Sequence, residues 1–208
     1  MNRFAVIEAD PPWTYETWSE RGNGIAARHY GLMTNEAIKA LPVHKIAADS
    51  CALFLWATWP LLPVALEVGK AWGFEYKTCA FDWVKRNPDA DSWHFGMGQS
   101  CTRANSEPCL FFSKGKPKRL DAGVPQIVSY HTPDALRNGQ TAFIERVGHH
   151  SAKPVGVYDR IQRLFDGPYL RLFARENIPG WTSLGNEITG NDIRRDIGNL
   201  IYERVVAV

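Results

Sequence analysis

Mainly apolar runs of strand length alternate along the chain with stretches that have helical spacing. Because both faces of a parallel sheet are covered, such runs predict buried strands; they are Phe4–Ile7, Cys51–Ala57, Lys77–Lys85, Pro108–Ser113 and Tyr169–Phe173, with a further short strand at Ile127–Tyr130. Helical spacing predicts helices at 34–41, at Leu61–Trp72 and after Pro154. This alternation is typical of a three-layer α/β fold with a mostly parallel sheet.

Two stretches without periodicity, 14–31 and 86–106, interrupt this pattern. Loops of that length inside a compact domain are usually either functional or disordered. The first is interpreted as a lid over a substrate and the second as another active-site loop. Near the end of the chain, an apolar stripe predicts a terminal helix at about 191–206 that covers the sheet or a second subunit. The whole chain, 1–208, is predicted to form one domain.

Composition adds few constraints to this picture. With 208 residues, 45% hydrophobic and a net charge of +2, the chain produces no strong electrostatic field, so nucleic-acid binding would depend on local patches. One basic cluster lies in a predicted loop, where it is either solvated or contacts phosphates; it consists of Lys114, Lys116, Lys118 and Arg119. The four scattered cysteines indicate neither a zinc site nor a disulfide framework. No apolar run approaches about 18 residues, so a cytoplasmic protein without membrane contact is expected.

The candidate chemistry begins at Asp10, Pro11, Pro12 and Trp13, directly after the first strand. Neither proline can donate a hydrogen bond, so the strand must end there in a rigid loop. In an open α/β sheet, ligands bind at the carboxyl ends of the strands. Asp10 and the Pro11 carbonyl suit the two hydrogens of an amino group, and an indole stacks on a flat ring; adenine has both features. The alternative is a proline-rich turn with a surface acid and a packing tryptophan.

Several motifs in order, from Phe4 to Glu187, resemble one family. Residues 10–13 resemble the catalytic motif of amino-group methyltransferases that use S-adenosylmethionine. The whole set resembles the family of the eukaryotic messenger-RNA adenosine methyltransferase catalytic subunit and its bacterial and phage DNA-adenine relatives. The other matching segments are Tyr30-Gly31 with Met33, Thr102-Arg103 with Ser106–Cys109, Lys153, Leu172–Arg175 and Gly180–Glu187.

This resemblance implies a Rossmann-like methyltransferase fold with a permuted motif order, in which the catalytic motif is N-terminal and the cofactor strand C-terminal. It implies catalytic roles for Asp10, Pro11, Pro12 and Trp13. The implied contacts to the target base are Trp13, Tyr30, Arg103, Glu107 and Lys153. The implied S-adenosylmethionine ligands are Asp10, Lys153, Phe173, Arg175, Asn177, Asn186 and Glu187.

The residues themselves leave alternatives open. Tyr30 also suits a loop-anchoring aromatic residue, and Glu107 a charge at a strand edge. Lys153, an ammonium group just before a helix, suits either a carboxylate or a phosphate. The chain has no Gly-x-Gly-x-x-Gly motif, which disfavours NAD or FAD.

The chain also departs from the family in two ways. Longer members have a segment ahead of the first strand that helps to hold the cofactor adenine, so the adenine pocket is unassigned here. The RNA enzyme's histidine in the cofactor loop is missing, since Arg175 is followed by Glu176 and Asn177.

The predicted reaction is direct methyl transfer to the 6-amino group of adenine in DNA. The alternatives are an RNA adenosine methyltransferase and a catalytically inactive, nucleic-acid-binding partner subunit. Inactive relatives lack the acid or the aromatic residue, whereas Asp10 and Trp13 are both present. DNA is favoured over RNA as the partner because the second long loop is closer to the bacterial branch. A homodimer or a complex with a related subunit stays open.

Overall fold

A seven-stranded sheet forms the centre of the protein. The computed structural model describes residues 3–14, 33–85, 92–94, 98–99, 101–129, 153–154 and 156–206. The strands of the sheet are β1 (Phe4–Ala9), β2 (Ala47–Trp56), β3 (Glu75–Val84), β6 (Ser106–Lys114), β7 (Ile127–Ser129), β8 (Tyr169–Leu172) and β9 (Trp181–Leu184). Their spatial order is β7-β3-β6-β2-β1-β8-β9. Strands β4 (Gly98–Gln99) and β5 (Thr102–Arg103) pair separately.

The sheet is mostly parallel, as the alternation of elements predicts. Strand β1 runs parallel to β2 and β8, β8 to β9, and β3 to β7, whereas β6 runs antiparallel to both β2 and β3. Among the described strands of this sheet, β6 alone is reversed. The carboxyl ends of the other strands therefore point to one edge, here called the carboxyl edge, and β6 begins there.

Helices cover both faces of the sheet. They are α1 (Asn35–Lys39), α2 (Leu62–Ala71), α3 (Gly156–Leu164), α4 (Asn186–Thr189) and α5 (Ile193–Val206). Side chains alternate along β1, so Ile7 packs in one core with residues of α1, α2 and α5, while Val6 packs in the other with α3. This arrangement confirms the predicted three layers. The first turns of α5 lie on the sheet, whereas Tyr202 is exposed.

Most element boundaries differ from the sequence prediction by one to four residues. Thr34 caps α1 as expected, with its hydroxyl accepting a hydrogen bond from Ala37 N at 3.1 Å, but the helix ends at Lys39 before Pro42. Strand β1 extends through Glu8, a charged residue that ended the apolar run in the sequence. Strand β9 lies inside the segment Gly180–Glu187, for which no strand was predicted. No helix within the described ranges is both long and apolar enough to cross a membrane.

Candidate active site

The carboxyl edge gathers residues from distant parts of the chain. Asp10 follows β1, Phe173 follows β8, and Asn186 lies just beyond β9. Because β6 is reversed, Glu107 near its start lies at the same edge as these strand ends. Convergence at this edge is the usual location of ligand sites in open α/β sheets.

A cluster of charged side chains occupies the middle of the edge. The ammonium group of Lys153 lies 3.0 Å from Asp10 Oδ2 and 3.1 Å from Glu107 Oε2. The other oxygen of Glu107 accepts a hydrogen bond from Lys85 Nζ. Because the Lys153 side chain is only 8% exposed, these contacts are shielded from solvent. Of the two partners suggested for Lys153 by the sequence, the structure shows the carboxylate.

The pKa values in the cluster follow from burial and charge together. Burial by itself raises the pKa of Glu107, but Lys153 and Lys85 outweigh it and lower this pKa to about 2. Burial by itself lowers the pKa of Lys153, but the Asp10 and Glu107 carboxylates outweigh it and raise this pKa above the usual lysine range. Both groups therefore remain charged near neutral pH.

Two indole rings support the lysines. Lys153 Nζ lies 5.3 Å from the centroid of the Trp56 ring, and Lys85 Nζ lies 4.8 Å from that of Trp83. The two rings meet edge to face with their centroids 6.5 Å apart. Cation–π contacts at such distances favour the charged form of each ammonium group. The two ammonium groups that pair with Glu107 therefore each lie over an indole ring.

A cavity of about 190 Å³ opens beside this cluster. It is lined by residues that follow β1, β8 and β9 and by neighbours on the side of α5: Asp10, Pro12, Met33, Phe173, Arg175, Gly185, Asn186, Glu187, Asp192 and Ile193. Four of the residues predicted as cofactor ligands therefore lie around one cavity together with Asp10. Asp10 belongs to both the cavity and the charge cluster.

The wall of this cavity depends on close backbone contact. Ala174 N donates to Leu184 O at 2.8 Å, which joins the segments that follow β8 and β9. A Cβ atom at Gly185 would lie 2.2 Å from Ala174 O, so glycine is required for this approach. Phe173 has a φ of 63°, a left-handed conformation that is strained for a bulky residue. Such strain clusters at ligand sites.

The structure places the Trp13 indole in the core. Its side chain is 6% exposed, and Nε1 donates to Trp56 O at 3.0 Å. The open stacking face expected beyond the two prolines is not present, so the packing alternative is favoured for this residue. Trp13 N also donates to Pro11 O at 2.8 Å, which occupies one lone pair of the carbonyl that was predicted to bind an amine.

Other predicted residues lie apart from the cavity. Arg103 is exposed on β5, and Asn177 is exposed beyond the residues that line the cavity. Tyr30 lies outside the described residues. These three contacts stay predictions.

The basic cluster after β6 lies at the opposite edge from the site. It begins at Lys114, the last residue of a nine-residue strand whose second residue is Glu107. At about 3.3 Å per residue, that separation is more than about 20 Å. Lys114 also makes its hydrogen bond at that opposite edge, where its Nζ donates to His44 O at 3.3 Å. Contact of this cluster with phosphates beside a base held at Asp10 is therefore disfavoured.

Two residues of the edge were missed by the sequence interpretation. Lys85 was assigned only to a strand end, although it pairs with Glu107. Trp59 lies in a 3-10 turn (Trp59–Leu61) shortly after β2, is 45% exposed, and donates from Nε1 to Ser106 Oγ at 3.0 Å. In both cases the sequence signal that could have identified the residue was its position just beyond the end of a strand.

Comparison with known proteins agrees with this arrangement. Residues 4–187 match the MT-A70 family model. The Type II methyltransferase M.MunI of a Mycoplasma species is 33% identical over 208 residues, which cover 92% of this chain and 80% of that protein. The human N(6)-adenosine-methyltransferase catalytic subunit METTL3 is 28% identical over 193 residues, and the match spans 29% of its length. Human METTL4, an N(6)-adenine-specific methyltransferase, is 29% identical over 37% of its length. The family match covers β1, the charge cluster and all but two of the residues that line the cavity. This chain therefore belongs to the MT-A70 family.

Proposed function

We propose that this protein transfers a methyl group from S-adenosylmethionine to the exocyclic 6-amino group of adenine in DNA. The observation that carries the proposal is the position of Asp10, which borders the cavity and pairs with Lys153 in the charge cluster. One carboxylate thus lies between a site for the cofactor and a site for the target base. The identity of 33% to a Type II methyltransferase of a Mycoplasma species, against 28% to human METTL3, supports the bacterial DNA branch.

The cavity residues fit S-adenosylmethionine chemically. Its methionine end carries an ammonium and a carboxylate, and its ribose carries two hydroxyls. The carboxylates of Asp10 and Glu187, the guanidinium of Arg175 and the amide of Asn186 supply matching acceptors and donors. Gly185 allows the close backbone approach to Ala174 that forms the wall beside these groups. When bound, this cofactor supplies an electrophilic methyl group on a sulfonium.

Asp10 orients the amino group and stabilises the charge that develops on it. Its Oδ2 atom is held by Lys153, and we assign the other oxygen to a hydrogen of the adenine amine. The amine nitrogen would become positive as it takes the methyl group, which would leave the cofactor as a neutral thioether. The surplus proton of the nitrogen would then pass to solvent water. A fixed carboxylate favours this developing charge without reorganising, so orientation and electrostatics supply most of the rate enhancement.

Trp59 offers the open aromatic face that Trp13 lacks. Its Nε1 is engaged by Ser106, next to Glu107, and nearly half of the side chain is exposed. A duplex substrate must present its adenine outside the base stack, at a cost of a few kcal/mol. Stacking on an indole contributes about 1 to 3 kcal/mol per base and offsets part of that cost.

The test is mass spectrometry of nucleosides from DNA and RNA incubated with the protein and S-adenosylmethionine. We expect N(6)-methyladenine in DNA, and its loss in Asp10→Ala while the melting temperature is retained. Asp49→Ala is the matched control, because Asp49 is an exposed acid that pairs with Arg3 near the other edge of the sheet. Methylation of RNA alone would establish the RNA alternative. Methylation by Asp10→Ala at the wild-type rate would remove the mechanism.

A further inference from the structure

A buried polar network lies beneath the carboxyl edge, centred on Arg171 of β8. Arg171 is 6% exposed, and its three donor groups reach three partners. Nε donates to Glu8 Oε2 at 3.3 Å, Nη2 to the Tyr158 hydroxyl at 2.5 Å, and Nη1 to the backbone oxygen of Glu176 at 2.9 Å. The guanidinium carbon also lies 4.3 Å from the centroid of the Tyr158 ring.

Each contact joins a different part of the proposed site. Glu8 precedes Asp10 by two residues on β1, so the two side chains start on the same face of the strand. Tyr158 lies in the first turn of α3, the helix that follows Lys153. Glu176 directly follows Arg175, which lines the cavity. Arg171 is therefore bonded to the catalytic strand, to the helix behind the lysine and to the segment that lines the cavity.

Stability alone is a poor explanation for this network. Buried ion pairs are costly, and apolar residues of similar size often replace them without loss of stability. Glu8 is 1% exposed, and its Oε1 has no hydrogen-bond partner among the described residues. Burial raises the pKa of Glu8 to about 7 even though Arg171 opposes the shift. The burial of these charges costs free energy, and all three contacts of Arg171 lead to segments at the carboxyl edge. This combination indicates that the network helps to position those segments.

We propose that Arg171 is a positioning residue that holds the Glu176 segment, and with it the S-adenosylmethionine site, in register with the strand that carries Asp10. This inference rests on the proposed function and adds a determinant of cofactor affinity outside the cavity. The Arg171 bond to Glu176 O is the contact that transmits the effect, since it alone reaches the segment that lines the cavity.

The test replaces the ion pair with apolar side chains of similar length. In the double variant Glu8→Met with Arg171→Met, the melting temperature of the ligand-free protein should stay within a few degrees of wild type. Its dissociation constant for S-adenosylmethionine, measured by calorimetry, should rise about tenfold, in line with the loss of one charge-assisted hydrogen bond. KM for the cofactor should rise more than kcat falls at saturating cofactor.

Tyr158→Phe is the matched control. It removes the hydroxyl acceptor but leaves the Arg171 bond to Glu176 in place, so cofactor affinity should change less than twofold. If the double variant does not fold, Arg171→Lys replaces it in the test. This substitution keeps a positive charge beside Glu8, but a single ammonium group cannot reach all three partners. Wild-type cofactor affinity in a folded double variant, or in Arg171→Lys, would overturn the inference. Failure of the wild-type protein to bind S-adenosylmethionine would instead count against the proposed function.

Discussion

Tryptophan illustrates how burial decides the role of a residue that sequence alone leaves open. Trp13 and Trp59 both follow strand ends at the carboxyl edge, but the first is 6% exposed and the second 45%. Trp13 packs with Ile7 and Ala9 in the core beneath α5. The sequence shows which residues leave a strand end, but only tertiary packing determines which of their rings is covered.

The two tryptophans should therefore respond differently to truncation. Trp13→Ala should lower the free energy of unfolding by about 3 to 5 kcal/mol, because it opens a cavity in the core. Trp59→Ala should leave the melting temperature nearly unchanged and weaken capture of the target base. The readouts are thermal melting without ligand and the fluorescence rise of 2-aminopurine at the target position. The prediction fails if Trp13→Ala melts like wild type, or if Trp59→Ala captures the base normally. Trp59→Phe should recover part of the fluorescence signal.

The order of motifs named residues that the fold brings together, and their roles stay predictions. Asp10, Phe173, Arg175, Asn186 and Glu187 come from separate segments, yet all line one cavity. Lys85 and Arg171 carry no motif, and their contacts arise only when neighbouring strands are aligned. A strand register determines such contacts, and single-sequence periodicity does not contain the register.

At the level of elements, two glycines allow neighbouring segments to approach more closely than any larger side chain would permit. A Cβ atom at Gly69 on α2 would lie 2.2 Å from the Phe112 ring on β6, and one at Gly185 would lie 2.2 Å from Ala174 O. The first contact separates a helix from the sheet. The second separates the two segments that form the cavity wall. The same added methyl group therefore tests core packing at Gly69 and the proposed cofactor site at Gly185.

Gly69→Ala and Gly185→Ala should both lower the free energy of unfolding, by about 1 to 3 kcal/mol each, because both overpack a close contact. Only Gly185→Ala should also weaken S-adenosylmethionine binding, since Ala174 cannot keep its bond to Leu184 when the backbones move apart. Chemical denaturation and calorimetry measure the two effects. Equal cofactor affinity in the two variants would mean that the cavity wall tolerates this displacement.

The elements themselves were largely predictable, and their limits have physical causes. Strand β2 and helix α2 were found because continuous apolar runs and helical stripes are strong signals. Strand β1 was ended too early because Glu8 is charged, and its neutralising partner Arg171 lies far away in the chain. Strand β9 was missed because it has only four residues, and the polar pair Thr182 and Ser183 interrupts its apolar pattern.

For the whole molecule, two buried acids give opposite dependences of stability on pH. Glu107 has its pKa lowered from 4.5 to about 2, so its contribution is present above pH 4.5 and is lost as pH falls toward 2. Glu8 has its pKa raised to about 7, chiefly by burial, so its contribution is present below pH 4.5 and is lost as pH rises through 7. Together they favour greatest stability near pH 4.5.

Glu8→Gln should remove the loss of stability between pH 4.5 and 7, which corresponds to about 3 kcal/mol for a shift of this size. Glu107→Gln should remove the loss on the acid side. The charged and titratable groups that act on Glu8 are Arg171, Asp10, Lys153, Tyr158 and Cys109. Urea unfolding from pH 2.5 to 8 measures both slopes. An unchanged slope above pH 4.5 in Glu8→Gln would contradict the assignment.

The central position of β1 has a consequence for synthesis of the protein on the ribosome. One edge of β1 pairs with β2, but its other edge pairs with β8, and the Glu8–Arg171 contact spans 163 residues. At about 5 to 20 residues per second, that edge stays open for roughly 8 to 30 seconds in each nascent chain. An open apolar strand edge promotes aggregation, and a charge on the strand opposes it. We therefore expect the charge of Glu8 to oppose aggregation at this edge until β8 is made.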